Sequence, residues 1–366
     1  MQRELTPGSK LITPPDETPH GAHIAGHSQM LRVSAFTGSP TISSARFRVR
    51  QYIPGLHEYG VALEEEVARF GSWPPLEGWK RPAWLLATLA QRVPGVIRSY
   101  NRDVTLLQRE IVSTLKTLEG FTKAPRVFDV DDAVWLNGSG RQFRRILEQC
   151  EAVICGNAFI ANEASRWHKN VFIVPTAVDT DRYSPKVSAG RRIVGWSGLA
   201  VGQRWVNDIE PALAEVLRMH ADVVLRIVSE RAPKFCELPP ERVEYIPWSP
   251  QVEVSTIQEM TVGIMPLEDS LQARGKCSYK MLLYMSCGVP VVVTPVGMNS
   301  EVLAQGEVGR AATTHSEWVE HLSWLLNNPE SARNMGVAGR KVIEENYSLR
   351  ALTPKIASIL WSVSGK

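Results

Sequence analysis

Residues 273–301, ARGKCSYKMLLYMSCGVPVVVTPVGMNSE, constrain the fold of this chain more than any other stretch. Ser278 stands where a helix can be capped, KMLLYMSC fills its turns, and Gly288 is placed to end it. VPVVVT follows with no polar alternation, as expected of a strand covered on both faces. PVGMNSE then turns the chain, with Asn299 or Ser300 placed to cap a next helix. Arg274, Lys276 and Lys280 crowd the positive end of the first helix, where the macrodipole disfavours cations. Bare amide donors beside three cations make an anion site, and a diphosphate is the obvious anion. The competing reading is a solvated loop in which Glu268 and Asp269 neutralise those cations. The order of parts favours the anion. In open α/β sheets ligands bind beyond the carboxyl ends of strands, and this loop follows the strand-like TVGIMPL.

The chain has 366 residues, enough for two domains of ordinary size. Hydrophobic residues make up 44%, which supports a sizeable core. The formal charge of +3 is too small to point to nucleic acid. The five cysteines are scattered, and Cys150 and Cys155 lack metal-ligand spacing, so free thiols in a reducing compartment are expected. No apolar run approaches the ~20 residues that span a bilayer, and the N-terminus lacks an apolar signal core. A soluble cytoplasmic protein is expected, with peripheral contact at the inner membrane face left open. Residues 1–27 lack periodicity and read as a mobile tail, its His20, His23 and His27 a solvated cluster rather than a metal site.

Repeated βα units follow. LRVSAF, the continuation of HEYGVAL, VTLLQRE, RVFDVDDAVW, EAVICGN and NVFIVPTAVD read as strands. ARFRVRQYIPGLHEYG reads as one helix ending near Gly60, with Arg46, Arg48 and Arg50 behind a tight loop at Gly38. Residues 71–102, rich in Pro and Trp, read as a loop with aromatic anchors. In an extended RVFDVDD, Asp129 and Asp131 face one side and need a cation, a metal or a shared proton. The alternative is that Asp129, Asp131 and Asp132 cap the turn and pair with nearby arginines. GRQFRRILEQC and AFIANEASRW read as helices, and DTDRYSPKVSAGRR as a linker. A second series runs through RIVGWSGL, an amphipathic helix over 208–219, DVVLRIVSE, VEYIPWS and TVGIMPL to three late helices.

These residues resemble a known group. GKCSYKMLLYMSCGVPVVVTPVGMNSEVL looks like the donor-side signature of the retaining GT-B glycosyltransferases of group 1, the family 4 type. IVGWSGLAVGQRWVNDIEPAL looks like the first βα unit of their C-terminal domain, while ARFRVRQYIPGL and VFDVDDAVW look like N-terminal segments of one branch. The resemblance implies an α/β chain of two Rossmann-like domains facing each other across a cleft. By similarity, residues 28–185 form the acceptor-binding domain and 186–347 the nucleotide-sugar domain, and 348–366 supply a helix crossing back to the first. Carried over by position, Arg204, Lys276 and Lys280 balance the donor diphosphate, with Arg274 in reserve. Gly198 and Gly38 give close approach, and Gly297, Met298 and Asn299 form a turn whose amides face sugar or phosphate.

Two departures stand out. The family's Glu-x7-Glu pair falls on Gly275 and Leu283, so both carboxylates are absent unless Glu268 or Asp269 substitutes. The family's N-terminal His-Asp pair is replaced by Asp131-Asp132, taken here as the catalytic acids. The implied reaction moves a sugar from a nucleotide diphosphate sugar to an acceptor hydroxyl with retention, in glycan, glycolipid or glycosylated-metabolite synthesis. The acceptor is saccharide, lipid-linked or small, no metal or other cofactor is required, and no nucleic acid is involved. An epimerase or phosphorylase on the same fold, or a non-catalytic nucleotide-sugar-binding homologue, remains as alternative. Arg141, Arg144 and Arg145 with Phe143 offer a basic membrane strip, against the simpler reading of a solvated helix face.

Overall fold

The computed structural model describes residues 29–40, 42–70, 74–112, 117–137, 140–186 and 190–366. The expected tail, with its three histidines, lies outside them. The chain divides into two units, 1–177 with 352–366, and 178–351.

The first unit is built on a six-stranded sheet: β1 (Leu31–Thr37), β2 (Val61–Val67), β3 (Val104–Gln108), β4 (Arg126–Val130), β5 (Ala152–Cys155) and β6 (Val171–Ile173). Their order is β2-β1-β3-β4-β5-β6, and every pairing is parallel. The second unit holds β7 (Arg192–Ser197), β8 (Val223–Ser229), β9 (Val243–Pro247), β10 (Val262–Met265), β11 (Val291–Val293) and β12 (Gly309–Ala311). Their order is β12-β11-β10-β7-β8-β9, again all parallel. β11 is buried throughout, as its unbroken valines require of a strand covered on both faces. Beneath β7 and β8, Trp196, Leu225 and Ile227 pack with Trp318 and Leu322 of the His315–Asn327 helix.

The signature folds as the Tyr279–Ser286 helix, a turn, and β11. Gly288 ends the helix at φ 71°, where the left-handed region costs glycine nothing. The Gly288 amide donates to the Met285 carbonyl (2.9 Å), and the Val289 amide donates to that of Tyr284 (3.0 Å), a Schellman pair. Arg340 closes the same end. Its Nη1 donates to the carbonyls of Ser286 (2.7 Å) and Tyr183, and its Nη2 to that of Thr180 (2.9 Å). The expected linker is therefore packed down over residues 180–183. Tyr183 is buried, with its hydroxyl on Glu253.

Several local expectations are corrected. Residues 81–99 are not loop: Arg81–Ser99 is a 19-residue helix. Pro82 sits in its first turn, where the missing amide costs nothing, and Pro94 is tolerated inside it. ARFRVRQYIPGLHEYG is three pieces, Ser43–Arg48, a 3-10 turn at Arg50–Tyr52, and Ile53–Glu58, because Val49 leaves helical geometry (φ −129°). The helix expected over 208–219 is two, Gln203–Asp208 and Glu210–Met219, broken at Ile209. Ser278 occupies the N-cap position but is left-handed (φ 50°) and makes no capping bond with its side chain. Asn299 and Ser300 lie inside the Met298–Leu303 helix, whose N-cap is Gly297. β12 and the short Glu253–Gln258 and Leu271–Arg274 helices carry too little periodicity to be read from sequence.

Candidate active site

In the second sheet, strand succession reverses between β7 and β10, and ligands of such sheets gather beyond the carboxyl ends at that point. Gly198 follows β7, and the loop carrying Glu268 and Asp269 follows β10. Here the Lys280 side chain runs directly over Gly198. A Cβ at 198 would lie 2.3 Å from Lys280 Cε and 2.9 Å from the Trp196 ring. Lys280 Nζ stands 5.5 Å from the centroid of that ring. Burial, with the Lys276 charge nearby, lowers the Lys280 ammonium to about 8. Among the described residues no carboxylate pairs with it.

Tyr284, one turn further along the same helix, holds this geometry. The Ser197 amide donates to its hydroxyl (2.8 Å), tying the end of β7 to the helix. Its ring needs Gly263, where a Cβ would fall 2.4 Å from Tyr284 Cδ2. Neither Trp196 nor Tyr284 was singled out from sequence. Their only signal is position: Trp196 precedes Gly198 by two residues, and Tyr284 follows Lys280 by four.

The other expected donor-side cations behave differently. Arg204 Nη2 lies 2.7 Å from Glu268 Oε1, and Arg274 Nε 2.7 Å from Asp269 Oδ1, all four side chains about half exposed. Glu268 and Asp269 thus do neutralise cations, but Arg204 and Arg274 rather than Lys280. Lys276 is brought beside Lys280, as the lowered ammonium shows. At Gly297 (φ 55°) a Cβ would strike the Arg274 backbone at 2.9 Å. The side chains of Met298 and Asn299 are buried. Asn299 Nδ2 donates to the Thr294 carbonyl (2.9 Å), leaving only backbone of this turn for a ligand.

In the first sheet the reversal falls between β1 and β3. Gly38 follows β1. Its loop is held by Arg50, whose Nη1 donates to the Pro40 carbonyl (2.8 Å) and whose Nε pairs with Glu65 (2.8 Å). After β3 comes Arg109, left-handed at φ 58°. Its Nε meets Asp131 Oδ1 at 2.6 Å, and its Nη2 meets Asp132 Oδ2 at 3.7 Å. Burial opposes the charge on Asp131, but Arg109 and Arg48 outweigh it and hold the carboxyl below the usual range. Asp132 also accepts from the Ala133 amide (3.0 Å). Such a carboxylate orients a ligand better than it accepts a proton near neutrality.

Asp129 is separated from them. β4 ends at Val130, so Asp129 stays in the sheet and pairs twice with Arg48, at 3.0 Å to Nε and 2.6 Å to Nη2. Arg48 Nη1 also donates to the Val174 carbonyl (2.7 Å); burial opposes the charge on the guanidinium, but Asp129 outweighs it. Arg48, Arg50 and Arg109 thus take up most of the local acid, as pairing with nearby arginines predicts. Arg109 went unremarked in sequence, although it stands where β3 ends.

A cavity of about 740 Å³ opens in the first unit between the ends of β1 and β2 and the inner face of the Arg81–Ser99 helix. Glu65, Glu66, Arg69, Gln91, Arg92 and Arg98 give it a polar lining. Among the described residues no three His, Cys, Asp or Glu side chains group as metal ligands.

Residues 192–328 match the family model described as Glycosyl transferases group 1. That match lies within the second unit, which thus carries a group 1 glycosyltransferase domain. Its fold is GT-B. Sucrose-phosphate synthase from Thermosynechococcus elongatus superimposes at a TM-score of 0.69, with 13% identity over 92% of this chain and 99% of that one. Anabaena HepE in complex with UDP and glucose gives 0.66, with 12% identity over 91% and 100%. WaaG, a glycosyltransferase involved in lipopolysaccharide biosynthesis, gives 0.61, with 13% identity over 90% and 99%. No curated protein matches the sequence. Within the matched segment, Leu283 and Gly275, which stand where the family's glutamate pair is expected, are both buried.

The basic strip expected at Arg141, Arg144 and Arg145 lacks its apolar member. Phe143 is buried against Phe128 and Trp135, and Arg144 pairs with Glu148 (2.8 Å) over the Trp167 ring. No described helix is long and apolar enough to cross a membrane.

Proposed function

We propose that this glycosyltransferase moves a sugar from a nucleotide diphosphate sugar to an acceptor hydroxyl with retention at the anomeric carbon. The observation that carries the reading is Lys280, a partly buried ammonium laid across Gly198 at the strand reversal with no carboxylate among the described residues to balance it. A diphosphate would supply that balance, helped by Lys276 and the uncapped start of the Tyr279–Ser286 helix. In transfer, negative charge builds on the leaving diphosphate, and fixed cations there lower the barrier. Loss of one such contact costs on the order of 2–4 kcal/mol. Because these cations meet the phosphates, the reading needs no metal, and activity in excess chelator tests that.

Asp131 and Asp132, held by Arg109, orient the acceptor or the donor sugar. The polar cavity of the first unit is the acceptor pocket in this reading, fitting a saccharide or a polar headgroup. The UDP and glucose of the HepE complex make a uridine diphosphate hexose the first donor to try. The five free cysteines accord with a cytoplasmic setting. The test is product formation from a panel of nucleotide sugars, with nucleotide affinity measured in parallel for Lys280→Met. Unchanged affinity in that variant would remove Lys280 from the site.

Leu283 and Gly275 favour a second reading, a homologue that binds a nucleotide sugar without transferring it. Tight binding with no product from any donor and acceptor pair would select it. An epimerase or phosphorylase would instead reveal itself by donor conversion without a hydroxyl acceptor.

A further inference from the structure

The Arg81–Ser99 helix presents an apolar face that no described residue covers. Trp79, Ala83, Leu86, Ala90, Val93, Ile97 and Tyr100 recur at alternating steps of four and three, and every one is exposed. Such a stripe belongs inside a core, yet Trp79 is 79% exposed, Leu86 69% and Ile97 65%. Leu76 extends the patch at one end and Phe121 at the other, where Tyr100 Oη donates to the Phe121 carbonyl. A contiguous patch of this kind marks a binding surface rather than scattered surface leucines.

Charge selects the occupant. Between 81 and 99 the helix carries no acid; of its three arginines Arg92 is buried on the inner face and Arg98 pairs with Glu66, which leaves Arg81 beside the stripe. The nearby Glu64, Glu66 and Glu77 are already taken by Arg102, Arg98 and Lys80. Arg69 and Arg81 have no carboxylate partner among the described residues. Two copies of this face would bring like charges together, without the complementary flanking pairs of a helix zipper. A helix lying flat with an apolar face, aromatic ends and flanking cations suits the surface of an anionic bilayer.

We propose that this face docks the protein on an anionic lipid surface, the helix lying in the interface rather than crossing it. The docking does not depend on sugar transfer. It puts the polar cavity, which the inner face of the same helix lines through Gln91 and Arg92, close to the headgroup layer.

Sedimentation with phosphatidylcholine vesicles, with and without phosphatidylglycerol, tests it on the full chain. The protein is expected to pellet with the anionic vesicles and to stay in solution with the neutral ones. Leu86→Asp combined with Ile97→Asp should cut partitioning about tenfold or more, since two large side chains lose their apolar contact. Lys80→Glu with Arg81→Glu should weaken only the anionic component. Circular dichroism and nucleotide affinity should stay unchanged in both pairs. If the aspartates disturb folding, Leu86→Ser with Ile97→Ser replaces them. Unaltered pelleting of the folded leucine–isoleucine variant overturns the proposal, as does failure of the natural chain to pellet. A dimer in light scattering that the same variant dissolves would assign the face to a second copy instead.

Discussion

Lys280 and Gly198 occupy one another's space: the lysine stem lies where any side chain at 198 would begin, 2.3 Å from the Cβ position. Glycine at 198 is therefore a requirement of the lysine, not only of the turn. The nearest atom belongs to a flexible side chain and the buried Trp196 ring, at 2.9 Å, need give by only a few tenths of an ångström, so Gly198→Ala should fold, somewhat less stably, while pushing the ammonium aside. Uridine diphosphate affinity, measured by calorimetry, is expected to fall about tenfold, or about 1.4 kcal/mol. Combined with Lys280→Met, the two losses should overlap rather than add.

Affinity for the diphosphate should depend on pH through Lys280. The free ammonium titrates at about 8, below its ordinary value, and only the protonated form attracts the anion. Affinity is then full below that value and declines as pH rises through it. Binding raises the group again, so protons are taken up on binding near pH 8. In Lys280→Met the affinity should be weaker and flat across this window, as calorimetry in buffers of different ionisation heat would show.

Glu268 and Arg204 form an exposed pair that holds an arginine beside the site. Exposed pairs add little to stability, so Glu268→Gln should leave the melting temperature nearly unchanged. If Arg204 reaches the donor, freeing it should tighten nucleotide binding. Binding equal to that of the natural chain would leave Arg204 outside the site.

Asp131→Asn should lower transfer without weakening nucleotide binding, because its partner Arg109 belongs to the first unit and not to the diphosphate site. A loss of about 100-fold in turnover is expected from misplaced reacting groups. Arg109→Met should reproduce much of it by releasing the carboxylate, and the double variant should be little worse than either.

Arg48 and Asp129 are fully desolvated and bonded twice. Removing one partner strands the other, so Asp129→Asn or Arg48→Met should destabilise the first unit by about 3–5 kcal/mol. Urea unfolding followed by probes in each unit should show the loss in the first unit's transition.

The strands and the signature helix could be read from sequence because burial on both faces writes itself as unbroken valine and isoleucine. Gly288 could be read because only its backbone freedom ends that helix so sharply. The Arg81–Ser99 helix was hidden by Pro82 and Pro94, which usually break helices but here sit where the backbone tolerates them. The charge reading at the site was half right in kind. Cations do gather there, but sequence cannot say which acid each will meet. Arg204 and Arg274 found partners across a loop, and Lys280 did not, because its direction is set by Trp196 and Gly198, far away in the chain. An extended chain would put Asp129 and Asp131 on one side. The strand stops between them, and each acid answers to a different arginine.

Arg340 bears on the signature helix in one further way. By seating a guanidinium on the Ser286 carbonyl, the fold answers the negative pole of that short helix from its own residues. At the positive pole Ser278 makes no side-chain cap, and Lys280 adds to the excess charge. An anion bound there would even out the dipole. Empty, the protein sits below its attainable stability, and each nucleotide it captures returns part of the difference as resistance to heat.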